Sequence, residues 1–267
     1  MRNYTEKIVT FNNHITNLKL SIKLEICVDS VESAINAQEA GADRVELCDN
    51  LPEGGTTPGY GTIVSARNNL DIGLHVIIRP RGGDFLYSDL EYDIMRRDIE
   101  ICGESGVNGI VLGILRSGGT IDIERTAMLI EIAYPMTTTF HRAFDMCCEP
   151  VQGLEDVIAT GASRLLTSGQ KNKAQDAPDL IRQLIIQAGE RIIVIPGGGI
   201  DETNVALIAS ITRAKEIHLT GRKTIDSEMI FRRQGVSMGD LKGIPEFSRK
   251  IADTERISNI ISLLKLI

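Results

Sequence analysis

The chain has 267 residues, 42% hydrophobic and 24% charged, which excludes a wholly disordered chain and leaves room for one large domain. Its 29 basic and 36 acidic side chains give −7 overall, which disfavours nucleic acid or an anionic membrane surface as the main partner. With no Trp, 4% aromatics and only short apolar runs, it offers neither a base-stacking platform nor a bilayer-spanning segment.

Residues 1–20 read as an extension. The first 23 residues carry Arg2, Lys7, Lys19 and Lys23 against Glu6, without an apolar stretch, so neither a secretory signal nor a mitochondrial presequence is expected. Five cysteines, an odd number scattered along the chain, favour free thiols in a reducing compartment. The expected location is the cytoplasm, with the nucleus also open.

Strands are expected at 24–27, 44–48, 74–78, 109–113, 137–140, 164–167, 192–195 and 216–219, their starts 20 to 35 residues apart. Each interval fits one strand, one helix and two loops. Three segments repeat the junction: Gly41-Ala42-Asp43-Arg44-Val45, Gly106-Val107-Asn108-Gly109-Ile110 and Gly161-Ala162-Ser163-Arg164-Leu165. Each reads as a helix end, a left-handed glycine and a buried strand. Eight units over residues 21–222 predict an α/β fold, a (β/α)8 TIM barrel. A doubly wound sheet would open with a glycine-rich loop after its first strand, but Cys27-Val28-Asp29-Ser30 stands there. Residues 223–267 read as a tail completing the same domain and ending in a helix over 257–264.

Strand parity assigns the faces. Glu25 and Cys27 oppose Leu24 and Ile26, and Glu46 and Cys48 oppose Val45 and Leu47. A carboxylate under the helix layer would be costly, so the glutamates face the interior and the two cysteines follow, nearer the C-terminal rim. The same parity turns His75, Ile77, Arg79, Thr139, His141, Glu216 and His218 inward. Such an interior is too polar for packing alone, although Glu46 and Arg79 can simply neutralise each other.

Two thiols on neighbouring strands suit a soft metal such as Cu(I), which accepts few ligands; buried apolar packing of the same thiols is the plainer reading. Cys147-Cys148 and Cys102 read as non-ligands. Arg79 and Arg81, in Arg79-Pro80-Arg81-Gly82-Gly83, suit an anion, as do Gly197, Gly198 and Gly199 after the seventh strand and Arg222 after the eighth. No lysine sits at a strand end for Schiff-base chemistry, and no Ser elbow or HExxH motif occurs.

The chain resembles the copper homeostasis protein CutC family. The resemblance rests on Leu24-Glu25-Ile26-Cys27, Gly41 to Cys48, Glu53-Gly54-Gly55-Thr56-Thr57-Pro58 and Ile78 to Phe85. It continues through Thr139-Phe140-His141-Arg142-Ala143-Phe144-Asp145, Leu166-Thr167-Ser168-Gly169 and Pro196 to Gly199. The tail, with Phe231-Arg232 and Val236 to Gly239, looks closer to eukaryotic members than to short bacterial ones. The resemblance implies a cytoplasmic, homo-oligomeric (β/α)8 barrel serving copper trafficking or tolerance, with Cys27 and Cys48 at the positions proposed to bind Cu(I). Gln170 departs from the pattern, since a second glycine commonly follows Ser168-Gly169. An alternative remains open: an enzyme of lyase or isomerase type on a small anionic substrate, phosphorylated or not. Glu25, Glu46 or His141 would then be acid or base, with Arg79, Arg222 and the glycines on anions.

Overall fold

In a computed structural model, which describes residues 22–238 and 245–267, strand and helix alternate along the chain. The first half runs β1 (Lys23–Val28), α1 (Val31–Glu39), β2 (Arg44–Leu47), α2 (Tyr60–Asn69), β3 (Gly73–Ile77), α3 (Asp89–Glu104), β4 (Gly109–Leu112) and α4 (Ile123–Ala133). The second runs β5 (Thr137–Phe140), α5 (Pro150–Ala159), β6 (Arg164–Thr167), α6 (Pro178–Ala188), β7 (Ile193–Pro196), α7 (Val205–Thr212) and β8 (Glu216–Leu219). The expected strands stand within a residue or two of these bounds. The extension over 1–20 lies outside the described residues.

The helix boundaries follow from local chemistry. Ser30 caps α1 by accepting from the amide of Ser33, and Ser88 forms a reciprocal capping box with Glu91 at the start of α3. Gly41, Gly106 and Gly161 follow α1, α3 and α5 with φ of +93°, +73° and +84°, the left-handed turn that the repeated junction needs.

The parallel strands pair in the order β7-β6-β5-β4-β3-β2-β1-β8, so β1 lies between β2 and β8 and the sheet curls into a barrel. Leu24, Ile26, Val45, Leu47, Leu74, Val76, Ile110, Leu112, Ile217 and Leu219 form the buried layer with the helices. Phe140, Leu165 and Val194 continue it on the far side. The opposite parity is left for the interior, and the register sets Glu25 beside Arg44 and His218, Cys27 beside Glu46, and Glu46 beside His75.

Beyond β8 the chain forms an antiparallel hairpin, β9 (Arg222–Asp226) and β10 (Ser248–Ala252), then α8 (Thr254–Leu264). The hairpin is tied to α1, where Asn36 donates to the Ala252 carbonyl at 3.1 Å and Ser33 Oγ accepts from the Ala252 amide at 3.2 Å. Ile257, Ile260 and Leu264 of α8 join the core. No described helix is long and apolar enough to cross a membrane.

Candidate functional site

The barrel interior is an ionic network that crosses the barrel. Glu216 on β8 accepts from Arg44 of β2 at 2.7 Å and from Arg164 of β6 at 3.1 Å. These strands are not neighbours, so the contacts must pass through the centre. Arg44 also pairs with Glu25, whose second oxygen lies 2.7 Å from His218 Nδ1. Of this set, sequence parity had turned Glu25, Glu216 and His218 inward. It had not singled out Arg44 or Arg164, although Arg44 shares the parity of Glu46. Glu25 is therefore held in ion pairing below the mouth. The interior does not join Glu46 to Arg79.

One layer higher, Cys27 and Cys48 bring their sulfurs to 3.6 Å, both buried, with Ile77 and Leu51 packed beside them. His218 Nε2 lies 3.5 Å from a Glu46 oxygen, and the donor atoms of Cys27, Glu46 and Cys48 all fall within 4.8 Å of one another. The hydrogen bond from the Cys48 thiol, opposed by burial and helped by His218, lowers the Cys27 thiol to about 5. That same bond, with burial, raises Cys48 well above the usual thiol range. Burial opposes ionisation of Glu25, but His218 and Arg44 outweigh it and hold the carboxyl below its ordinary value. Burial also works against the His218 cation, yet its bonds to Cys27 and Glu25 raise it well above the ordinary value. Burial and the neighbouring Cys27 charge push Glu46 well above the usual carboxylate range. The pair is thus asymmetric, with the Cys27 thiol lowered, the Cys48 thiol raised and the raised His218 imidazole at its side.

The β2–α2 loop covers this pair. Gly55 has φ +93°, and a Cβ there would lie 3.3 Å from both Cys48 Sγ and Ile77 Cδ1. Only glycine combines that backbone with that approach.

Arg79 locks this loop to the next one. It donates from Nη1 to the carbonyls of Glu53 (2.9 Å) and Gly55 (2.7 Å), and from Nη2 to that of Gly83 (2.8 Å). Its role as an anion holder is replaced, at those nitrogens, by carbonyl binding. Arg81 points elsewhere: it pairs with Glu91 and Asp84 and lies over the Tyr87 ring, outside the cavity lining.

Above the thiols opens a cavity of about 420 Å³, lined among others by Cys27, Glu46, Cys48, Arg79, His141, Gly198, Gly199, His218 and Arg222. Gly197 lies beneath it; a Cβ there would meet Leu166 at 2.6 Å and His218 at 3.2 Å. Arg222 is 3.3 Å from Asp29. Asp145 closes the motif that begins at Thr139. Its carboxylate accepts from Thr167 Oγ1 (2.6 Å), from Ser168 Oγ (2.7 Å) and from the amides of Ser168 and Gln170, and so shapes the β6–α6 loop. In that loop Gln170 itself has φ +58°, the conformation a second glycine would take without strain. Its side chain offsets the strain by donating to the Cys147 carbonyl at 2.7 Å.

The sequence profile of the CutC family matches residues 22–223, which carry this whole site. The chain belongs to the CutC family. A CutC family protein of Chromobacterium violaceum is 51% identical over 88% of this chain and 94% of its own. The human copper homeostasis protein cutC homolog is 45% identical over 91% of this chain and 89% of its own. The crystal structure of a CutC protein from Streptococcus agalactiae superposes with a TM-score of 0.71 at 36% identity, covering 74% of this chain and 98% of that one.

Proposed function

We propose that this CutC chain takes up Cu(I) on Cys27 and Cys48 and that this binding underlies a role in intracellular copper trafficking or tolerance. The observation that carries the reading is the buried pair of sulfurs 3.6 Å apart, one of them held as a thiolate. Thiolates are the ligands that select Cu(I). The name of the human relative points the same way.

The geometry favours a bent site. With metal–sulfur bonds of about 2.2–2.3 Å, sulfurs 3.6 Å apart subtend roughly 105–110° at the metal. A linear site needs them roughly 0.9 Å further apart, whereas a bent one leaves room for a third donor. Glu46 is placed to be that donor. Because Cys48 is protonated, Cu(I) enters by exchange with its proton, and the buried charge balance is unchanged.

The test replaces both cysteines with serine, which is nearly isosteric. Anaerobic competition against a chromophoric Cu(I) chelator should show loss of tight binding, with circular dichroism unchanged. Undiminished stoichiometry and affinity in the double variant would reject the site.

A further inference from the structure

His141 is the side chain in the mouth that copper does not explain. It is 5% exposed, sits at the end of β5 and lines the cavity. Its Nδ1 accepts the amide hydrogen of Ala143 at 3.2 Å, so the neutral ring must carry its proton on Nε2. That Nε2 has no hydrogen-bond partner among the described residues. Burial, then the charge of Arg79, pushes the imidazole down to about 3, so the ring stays neutral and Nε2 stays a donor throughout the physiological range.

Arg79 supplies the second observation. It is 4% exposed and lines the same cavity, yet no carboxylate among the described residues lies within ion-pair distance. Its Nη groups rest on carbonyls, and on its remaining side stands the Tyr87 hydroxyl, a neutral group. Phe85 links the two groups, with the Arg79 guanidinium 5.0 Å from its ring centroid and the His141 ring 5.1 Å from it. A buried cation whose nearest neighbours are only dipoles favours an anion in the adjoining space. On the opposite wall, Gly198 and Gly199 stand at φ +98° and +66°. No described acceptor takes their amides. Successive free amides of this kind suit an oxyanion.

We propose that the mouth binds a small organic oxyanion, a carboxylate or a phosphate ester, one oxygen of which accepts a hydrogen bond from His141 Nε2–H. Arg79 supplies charge, and the amides of Gly198 and Gly199 receive the far end of the ligand. The thiols take no part, so this site and the copper site are separable. His141 acts as a neutral donor, which suits it to hold or polarise a carbonyl or carboxyl oxygen and makes it a poor proton acceptor.

The experiment labels the histidines of the full chain with ¹⁵N; there are four, so His141→Gln assigns the signal. Long-range ¹H–¹⁵N correlation should show His141 as the Nε2–H tautomer without change from about pH 5 to pH 9. Separate titrations then add inorganic phosphate, sodium lactate, and neutral lactamide as the uncharged control, each to about 50 mM. At least one anion should shift the His141 Nε2 resonance saturably, while lactamide leaves it in place. The anion that binds tells phosphate esters from carboxylates as the class. Followed through the backbone amide resonances of Gly198 and Gly199, His141→Phe should weaken binding about tenfold or more, and His141→Gln, which keeps a donor, by less than about threefold. The same titration on the double Cys→Ser variant should give unchanged binding, so failure of the copper reading would not be mistaken for failure here. An Nδ1–H tautomer, a His141 signal unmoved by both anions, or equal affinity in His141→Phe would each overturn the proposal.

Discussion

The copper affinity should report the asymmetric protonation of the thiol pair. Near neutral pH Cys27, lowered to about 5, is already ionised, while Cys48, raised above the usual thiol range, holds its proton. Binding on both sulfurs therefore releases one proton per Cu(I). Metal binding favours the deprotonated form, so affinity rises with pH. One proton per metal means a Kd that falls about tenfold per pH unit, or about 1.4 kcal/mol, and about a hundredfold between pH 6 and pH 8. Below about pH 5 the Cys27 thiolate is protonated as well, and the dependence steepens toward two protons. The assay is anaerobic chelator competition at several pH values, corrected for the chelator's own titration. Cys48→Ser should flatten the slope and weaken binding together. A wild-type affinity independent of pH between 6 and 8 would refute the protonation scheme.

Other consequences follow from the interior and the surface. Glu216→Gln leaves the Arg44 and Arg164 guanidinia facing a neutral amide, and should cost about 3–5 kcal/mol in urea unfolding; a loss under about 1 kcal/mol would mean that water already serves them. Gly55→Ala forces a side chain into left-handed backbone against Cys48 and should cost about 1–3 kcal/mol. It should also weaken Cu(I) binding, and an unaltered variant would show that the loop yields freely. Self-association is expected because Ile230 (101% exposed), Phe231 and Met238 stand on the surface. Light scattering at micromolar concentration should give a mass above the monomer's 29.2 kDa, and a monomeric mass would remove the expectation.

Much of this was legible in the sequence because it is periodic and local. Strand parity separates Glu25 and Cys27 from Leu24 and Ile26, since alternation is a property of the extended backbone itself. The glycine junctions after α1, α3 and α5 mark the repeat because few other residues take their backbone. The motif around Gln170 announced a departure, and the positive φ there gives its reason. What the sequence did not contain is which charges meet. Glu25 could be read as a catalytic acid or base, but closure of the barrel set it against Arg44 and His218, and Arg164 reached Glu216 across the interior. Arg79 was legible as a cation near the mouth, while its carbonyl partners come from two loops that only folding brings together. Protonation was the last thing decided: it depends on burial and on the field of neighbours distant in sequence, and so Glu46, Cys27 and His141 received their chemistry from the tertiary structure alone.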